Sequence, residues 1–471
     1  EMCIRDRPET VLIYETNQSG NWSDGNIWTP YIGGGPRGAA VKINENHTVV
    51  IDENYISVGL TDLEGVLNAE NTFGNRLGIM EGTGLLTTKS GELPAGYYVN
   101  FFSNTGGTIE YKGETDYDIL NNIASVNNLI ISGIGLRRFP NLDLFILGDF
   151  RIAGDDETLQ FINEYSRKIN LHGGFDFAEG SFSAGTGETA IVEFCGSSLQ
   201  NITGDFIGNN AFNHFTIANS SGLELVGDIE INGNLTFTNG IIYSTTDNTI
   251  TLNNTDENTV IGCNSTSFVN GPLFKRMLSG GNFEFPIGDN NRLGKIKISN
   301  VSMTGTDIWM AQYFSNNPAI DGFDPLSFNT PLEAISTYEY WTVKAPVATN
   351  TAKIELRWDS QSAMPTDDVN RTNLRIAEWQ DNSGLAWNEV DENNVIIGTT
   401  ASGTITSTVF SGFNKFAEGN HFGLASKYQP KCFYWDGSES TVWNNAANWN
   451  LNLVPTALDT CLLYTSPSPR D

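Results

Sequence analysis

The sequence predicts an all-β protein in which a right-handed parallel β-helix is followed by an antiparallel β-sandwich. Short segments with apolar residues at every second position recur along the chain, and glycine or asparagine closes nearly every one, as is typical of many short strands. No amphipathic helix of three turns is apparent. The sequence also repeats itself in two ways, and stacked repeats that bury apolar faces against their neighbours are typical of solenoids.

A tryptophan-containing cap segment is predicted over residues 8–40. Its Trp22 and Trp28 are separated by five residues, and the same Trp-x5-Trp spacing returns at Trp443 and Trp449. Paired indole rings suit two roles, since they can stack on the apolar faces of sugars or close the open end of a solenoid. We favour the closing role and keep all four tryptophans as candidate ligand-binding residues.

The β-helix is predicted over residues 41–278. Alternating strands include Val49–Ile51, Leu223–Leu225 and Ile250–Leu252. Three segments also match later ones at nearly constant separation, which indicates a duplicated block: residues 104–111 match 185–194, 126–131 match 212–217, and 148–152 match 233–237. Glycine and asparagine turns between such brief strands favour stacked rungs. The alternative is a chain of small β-sandwiches, which would show longer strands linked by hairpins.

The antiparallel β-sandwich is predicted over residues 283–426, after a Gly/Asn-rich seam at residues 279–282. The strands become longer and richer in aromatic residues there, as in the segments 308–310, 338–343, 353–358, 374–379 and 403–409. Such strands are typical of two packed antiparallel sheets.

A second Trp-x5-Trp module is predicted to begin within residues 431–460, and its first rung strands are expected to start just after Asp459. Residues 1–7 and 461–471 resemble translated sequencing adapter in opposite orientations, and such segments are excluded from the fold. We therefore expect the native array to extend past both ends.

The chain is strongly acidic, with a formal net charge of -29 and only 26 Lys and Arg residues. The two adapter-like ends carry equal numbers of acidic and basic residues, so they do not change this balance. Nucleic acid and anionic membrane surfaces carry the same sign of charge and are not expected to attract such a chain. No run of eighteen apolar residues suggests a membrane-spanning segment. Cys195, Cys263 and Cys432 lie far apart, which favours buried thiols over a Cys195–Cys263 disulfide.

No catalytic constellation is evident. A polysaccharide lyase would need carboxylates for calcium and a basic residue, and the candidates are Asp155, Asp156 and Glu157 with Arg137, Arg138 or Lys168. Solvated turns and rung edges explain these residues more simply. The histidines His47, His172, His214 and His421 are isolated from one another in sequence.

Calcium is the expected cofactor if there is one, because oxygen ligands on loops suit it. The candidate ligands are Asp321, Asp324, Asp367 and Asp368. None of them belongs to an EF-hand or a nonapeptide calcium repeat, and solvated loop carboxylates remain the simpler interpretation.

The segments Trp443–Trp449 with Pro455, Gly233–Gly240, Ser267–Pro272 with Phe283–Gly288, and Glu339–Trp341 resemble the large repetitive surface proteins of Bacteroidetes. That family is exported by type IX secretion and is mostly adhesin-like. The resemblance implies an extracellular or cell-surface location, a signal and sorting domain beyond the sequence, and neighbouring modules on the same chain. It supplies no catalytic residues.

The sequence is therefore compatible with two functions. The first is a non-catalytic structural or adhesion module that binds a surface glycan or another extracellular surface. The alternative is a carbohydrate-active β-helix enzyme of the lyase or glycoside hydrolase type.

Overall fold

The computed structural model describes residues 12–120, 123–364, 371–381, 384–413, 419–457 and 459–463, with the backbone alone at residues 155–157 and 381. The chain forms two compact units. The first consists of residues up to 315 with 341–354 and 412–419, and the second consists of residues 316–340, 355–411 and 420 onward. The seam predicted at residues 279–282 lies inside the first unit.

The strands up to residue 278 are short and follow one another through tight turns. They are β1 Ile13–Thr16, β2 Gly20–Asn21, β3 Trp28–Thr29, β4 Ala40–Ile43, β5 Thr48–Val50, β6 Leu60–Leu63, β7 Val66–Asn68, β8 Arg76–Glu81, β9 Leu85–Thr88, β10 Ala95–Tyr97, β11 Thr108–Gly113, β12 Tyr117–Asp118, β13 Ser125–Val126, β14 Asn128–Arg138, β15 Leu144–Ile146, β16 Phe150–Ile162, β17 Ile169–Leu171, β18 Phe175–Glu179, β19 Ser181–Ser183, β20 Ile191–Phe194, β21 Gln200–Thr203, β22 His214–Ala218, β23 Leu223–Val226, β24 Ile229–Ile231, β25 Leu235–Asn239, β26 Ile242–Tyr243, β27 Ile250–Leu252, β28 Val260–Ile261, β29 Val269–Asn270 and β30 Leu273–Leu278.

The later strands include several of eight or nine residues. They are β31 Phe283–Phe285, β32 Ile287–Asp289, β33 Arg292–Leu293, β34 Ile296–Ser302, β35 Thr306–Phe314, β36 Leu332–Ile335, β37 Tyr340–Lys344, β38 Thr351–Trp358, β39 Leu374–Asp381, β40 Leu385–Glu389, β41 Val395–Gly398, β42 Gly403–Thr406, β43 Ser411–Gly412, β44 Asn420–Lys427, β45 Cys432–Trp435 and β46 Thr460–Leu463. Short 3-10 helices lie at Gly25–Ile27, Gly208–Asn210, Pro318–Asp321 and Ala446–Asn448.

The first unit is a parallel β-solenoid of about 12 turns, which confirms the predicted β-helix. One face, the long wall, consists of strands that pair in parallel in the order β2, β5, β7, β9, β11, β14, β16, β18, β21, β23, β26, β29 and β32. A side wall consists of β4, β6, β8 and β10 and, after a break, of β13, β15, β17, β20, β22, β25 and β28. A third row consists of β24, β27 and β30.

The solenoid core consists of the inward residue of each alternating strand. Phe150 and Phe175, at matched positions of neighbouring long-wall strands, stack with ring centroids 4.6 Å apart. Phe206 lies 4.6 Å from Phe175 and 4.7 Å from Phe212, and all four rings are buried. Each rung therefore buries its apolar residues against the next rung, as a repeat array requires.

The three sequence matches that suggested a duplicated block do not superpose in the fold. Residues 108–113 form β11 of the long wall, whereas the matched residues 191–194 form β20 of the side wall. The other two matches likewise pair β14 with β22 and β16 with β25, again a long-wall strand with a side-wall strand. The inferred block register is wrong because strands of both walls carry the same alternating pattern.

Antiparallel sheets follow the solenoid and agree with the predicted β-sandwich. In the first unit β30 pairs with β35, and β31 pairs with β34. In the second unit β44 pairs with β36 and β39, and β39 pairs with β40. A further sheet of that unit joins β38, β42 and β41. The high content of aromatic residues in this part of the sequence includes Trp358, Trp379 and Trp387, which are buried in the core.

Two of the buried charged side chains, Lys275 and Asp391, have shifted pKa values. Burial lowers the pKa of the Lys275 amine to about 8, although its ammonium donates to the carbonyl oxygens of Asn254 and Asp256. Burial opposes ionisation of Asp391, but the N–H of Asn393 and the N–H and hydroxyl of Thr408 donate to its carboxylate and hold its pKa below the usual value.

Candidate functional site on the long wall

A polar trough of about 540 Å³ crosses the outer face of five neighbouring long-wall strands, β11, β14, β16, β18 and β21. Its side chains alternate along the strands with the buried Leu129, Phe150 and Phe175, because successive residues of a strand point to opposite faces. Five strands at a spacing of roughly 4.8 Å give the trough a length of about 19 Å along the solenoid.

The strand register arranges the lining residues in two rows. The first row is Asn128, Asp149, Gly174 and Asn201, and the second is Ile130, Arg151, Asp176 and Thr203. Thr108 extends the first row at one end, where its hydroxyl accepts a hydrogen bond from the Asn128 amide at 3.3 Å. Residues far apart in sequence thus meet on one surface.

Hydrogen bonds between rungs hold these side chains in place. The Asn128 side-chain oxygen accepts the backbone N–H of Asp149 at 2.8 Å, and the Asp149 carboxylate accepts the backbone N–H of Gly174 at 2.8 Å. On the second row the Arg151 Nε lies 3.2 Å from the Asp176 Oδ2. The polar groups of the trough are therefore positioned by neighbouring rungs before any ligand binds.

Gly174 has no side chain and leaves space in the first row between Asp149 and Asn201. A Cβ atom at this position would lie 3.2 Å from the Asn201 carbonyl oxygen and 3.7 Å from the Asp149 Oδ1. The site could accept a side chain with small adjustments, and that side chain would fill the trough. Glycine therefore keeps open a space that flanking polar residues line.

The chemistry of the trough suits a ligand with many hydroxyl groups. Carboxylates at Asp149 and Asp176 accept hydrogen bonds, the Arg151 guanidinium donates them, and the amide of Asn201 does both. Ile130 adds an apolar contact for a C–H face. Two carboxylates and one guanidinium leave the trough with a formal charge of -1, so it does not attract polyanions.

The first tryptophan pair lies in the core. Trp22 is 0% and Trp28 1% exposed, and their rings meet edge to face with centroids 5.1 Å apart. The Trp28 indole N–H donates to the Trp22 carbonyl at 3.1 Å. Because neither ring has an exposed face, neither can stack on a sugar in this packing. The closing role stays a prediction.

The second pair is only half buried. Trp449 is in the core of its module, whereas Trp443 is 44% exposed. The Trp443 ring lies nearly parallel to that of Trp435, with centroids 6.2 Å apart and an interplanar angle of 15°. Ligand binding by Trp443 stays a prediction.

The two candidate calcium ligands that the structure describes, Asp321 and Asp324, make hydrogen bonds within the protein. The Asp321 carboxylate accepts the Tyr340 hydroxyl at 2.8 Å, and Asp324 accepts a backbone N–H of its own turn at 2.9 Å. Asp367 and Asp368 lie outside the described residues. Within the described chain, no group of three or more His, Cys, Asp or Glu side chains is placed to hold a metal ion. Calcium binding stays a prediction.

Arg137, the first basic candidate for lyase chemistry, is fully buried. Its guanidinium donates to the carbonyl oxygens of Thr115 at 2.8 Å and Gly113 at 2.9 Å, and it lies 4.1 Å from the centroid of the Tyr117 ring. Burial lowers its pKa, while Tyr117 opposes that shift. These contacts anchor the loop before β12, which gives Arg137 a structural role.

The other basic candidates form ion pairs between rungs. Lys168 lies 2.9 Å from Glu193, and Arg138 lies 3.3 Å from Asp118. The side chains of Asp155, Asp156 and Glu157 lie outside the described residues. Cys195 is a thiol and not half of a disulfide, and its Sγ lies 3.5 Å from the Leu171 carbonyl oxygen. Cys195 and Cys263 are partly exposed and Cys432 is exposed, so the expected burial of these thiols is wrong.

Comparisons with known proteins identify no relative of this chain. No protein-family model, curated protein or solved structure matches this chain at a significant level. Among the described residues, no helix is both long and apolar enough to cross a membrane.

No local motif marks the trough residues, because each is an ordinary polar residue on an alternating strand. The only available signal was position: Asn128, Asp149 and Asn201 each directly precede a buried long-wall residue, and Arg151 and Asp176 each directly follow one. Aligning the rungs by these buried residues would have brought the polar residues together.

Proposed function

We propose that this chain is a non-catalytic module of an extracellular or cell-surface protein, and that it binds a neutral glycan through the trough on the long wall. The observation that supports this proposal is the preorganised row of polar side chains across five rungs, kept open at Gly174. Such a surface fits a short, extended, hydroxyl-rich chain better than a compact ligand.

Charge favours a neutral ligand over an acidic one. The trough itself carries Asp149 and Asp176 against one Arg151, and the whole chain carries a net charge of -29. A polyuronate would meet repulsion over roughly a Debye length, about 8 Å at physiological ionic strength. Hydrogen bonds to hydroxyl groups involve no such cost.

The surface location and the adhesive role rest on the resemblance to repetitive surface proteins. A solenoid with a glycan-binding side would suit adhesion or display, and the antiparallel sheets that follow it would serve as a neighbouring module. An acidic surface also suits a protein that must stay soluble outside the cell.

A glycan-binding assay on the full chain tests the proposal. The purified protein is applied to immobilised neutral glucans, mannans and galactans, and to polygalacturonate and alginate. We expect binding to at least one neutral glycan, and loss of that binding in Gly174→Gln, whose side chain fills the trough without adding charge. The control is Gly34→Gln, where no atom lies within 4 Å of the added Cβ.

Three results would contradict the proposal. Binding that survives Gly174→Gln would place the ligand elsewhere, and binding confined to the polyuronates would refute the neutral ligand. Release of reducing ends or of unsaturated uronates from any of these polymers would refute the non-catalytic role and favour a carbohydrate-active enzyme.

A further inference from the structure

The side wall of the solenoid is interrupted between β10 and β13. Its first part ends at β10 and its second part begins at β13, although these strands belong to consecutive rungs. The long wall of the same rungs is continuous, because β11, which follows β10, pairs in parallel with β14, which follows β13. The two rungs therefore stay paired on one wall and leave a gap, the space between β10 and β13, on the other.

The β10 edge of the gap offers one backbone donor and one acceptor. The Ala95 N–H donates to the Asn75 carbonyl at 2.8 Å, on the β8 side. Because successive residues of a strand direct their N–H and C=O groups to opposite edges, those of Gly96 point into the gap. The Pro94 carbonyl, on the same edge, already accepts the Tyr98 hydroxyl at 2.6 Å.

The β13 edge offers a matching pair of groups. The Ala124 carbonyl accepts the Phe145 N–H at 2.8 Å, on the β15 side, so the N–H and C=O of Ser125 point into the gap. Among the described residues, β8 is the one partner strand of β10 and β15 the one partner of β13. The described chain therefore leaves these groups of Gly96 and Ser125 without a strand to pair with.

A cavity of about 770 Å³ lies at the gap, and Gly96 and Ser125 both line it. This volume is within the range of roughly 300–1,000 Å³ that is usual for ligand pockets. The apolar part of its lining consists mainly of Leu93, Tyr98, Val99, Phe102, Ile123 and Leu147. The rings of Tyr98 and Phe102 stack with centroids 5.2 Å apart. The gap thus combines apolar side chains with two open strand edges.

Charge favours a cationic ligand at the gap. Among the described residues that line the cavity, Glu92 alone is charged, and its side chain is exposed. Within the described chain no lysine or arginine forms an ion pair with it. A second copy of this chain would bring a net charge of -29 against an equal charge, so a copy of the chain is a poor occupant.

We propose that the gap accepts an extended, cationic peptide segment of a partner protein, which pairs with β10 and β13 together and completes the side wall. Alternate residues of the segment would bond to Gly96 on one side and to Ser125 on the other. Apolar side chains at every second position would fill the cavity, and a lysine or arginine would lie near Glu92. Strand addition of this kind takes its affinity from backbone bonds and its specificity from side-chain pockets.

A small apolar molecule fits the gap less well, because it would leave the backbone groups of both edges unpaired. Open edges beside apolar side chains also tend to pair with other chains, which is a physical reason for a dedicated partner. The gap lies on the side wall and the trough on the long wall, so this proposal does not depend on glycan binding.

Binding of a synthetic peptide to the full chain tests the proposal. In the probe, valine and threonine alternate between two terminal lysines, and in a second peptide glutamates replace the lysines. Fluorescence anisotropy measures the affinity, and hydrogen exchange read by mass spectrometry locates the bound peptide. We expect the lysine peptide to bind with a Kd below about 1 mM. Exchange of the Gly96 and Ser125 amides should slow by roughly tenfold or more, because both become hydrogen-bonded.

A pair of proline variants tests the role of the open edge. Ser125→Pro removes the N–H that faces the gap, and proline is tolerated at such an edge position. We expect the affinity for the lysine peptide to fall by roughly tenfold. The matched control is Val260→Pro in β28, at the other end of the same sheet. There the Thr259 carbonyl accepts the Leu235 N–H at 2.9 Å, so the Val260 N–H also faces an open edge, and the affinity should not change.

Charge reversal provides a variant that does not threaten the fold, because the Glu92 side chain is exposed. In Glu92→Lys at low salt, we expect the affinity for the lysine peptide to fall by roughly three- to tenfold. The affinity for the glutamate peptide should rise.

Several results would overturn the proposal. These are no binding of the lysine peptide at about 1 mM, binding that leaves exchange at Gly96 and Ser125 unchanged, and equal binding by the two proline variants. Tighter binding of the glutamate peptide to the parent chain also overturns it. Displacement of the lysine peptide by cellohexaose does so too, because the cavity would then be a sugar site. If circular dichroism shows that Ser125→Pro is unfolded, amide exchange and Glu92→Lys decide.

Discussion

The core of the solenoid can be tested at Phe175, in the middle of the row of stacked phenylalanines. Its side chain is buried, and its ring contacts those of Phe150 and Phe206, each at a centroid distance of 4.6 Å. Phe175→Ala removes the ring and leaves a cavity, which costs roughly 3–5 kcal/mol at a buried site. The lost ring pairs, worth about 0.5–1.5 kcal/mol each, are already part of that loss, so we expect a total loss of about 3–5 kcal/mol.

The assay is urea unfolding followed by circular dichroism, together with hydrogen exchange read by mass spectrometry. Because solenoid rungs contact only their neighbours, exchange should increase in β16, β18 and β21 and stay unchanged in β4 to β7. The control is Asp176→Ala, one residue further on the opposite face, where loss of a solvent-exposed ion pair should cost less than about 1 kcal/mol. A loss below about 1.5 kcal/mol for Phe175→Ala, or equal losses for both variants, would refute the packing argument.

Three further predictions concern buried charges. Arg137→Met removes the guanidinium that holds the loop carbonyls, and we expect a loss of roughly 2–4 kcal/mol in thermal or urea unfolding; an unchanged midpoint would contradict this. The amine of Lys275 has a pKa of about 8 in the folded chain, whereas an unfolded lysine has a pKa of about 10.4. Between these two pH values the folded chain therefore binds fewer protons than the unfolded chain. Stability should therefore rise between about pH 8 and pH 10, and this rise should be absent in Lys275→Met when unfolding is measured at each pH. Asp391, with its pKa depressed, should make stability fall as the pH drops below about 4, the value for an unfolded aspartate, and Asp391→Asn should flatten that part of the acid unfolding curve.

The class of fold could be predicted because it depends on local pattern. Segments such as Val49–Ile51 and Ile250–Leu252 alternate and end at turn residues, and they do form strands of stacked rungs. The register between rungs could not be predicted, because an alternating segment fits the long wall and the side wall equally well. The match of residues 148–152 with 233–237 illustrates this, since it joins β16 to β25 on different walls.

The candidate site was harder to predict for a similar reason. Asp149 and Asp176 lie close in the fold only because β16 and β18 pair in a particular register, and nothing near either residue in sequence indicates that pairing. The tryptophan pairs are visible in the sequence because tryptophan is rare and the Trp-x5-Trp spacing recurs. In the first module, the spacing places a 3-10 helix between the two tryptophans and lets the Trp28 indole N–H donate to the Trp22 carbonyl. Both rings of that module are buried in the core.

Calorimetric titration tests the central proposal most directly, because it measures binding of a soluble ligand to the trough without any surface. The full chain and its Gly174→Gln variant are titrated with cellohexaose and mannohexaose, and with a hexagalacturonate, at low salt and in about 1 M salt, where the Debye length is about 3 Å. The proposal predicts binding of a neutral hexasaccharide that persists at high salt and disappears in Gly174→Gln. Binding of the hexagalacturonate alone, or equal binding by the variant, would contradict it.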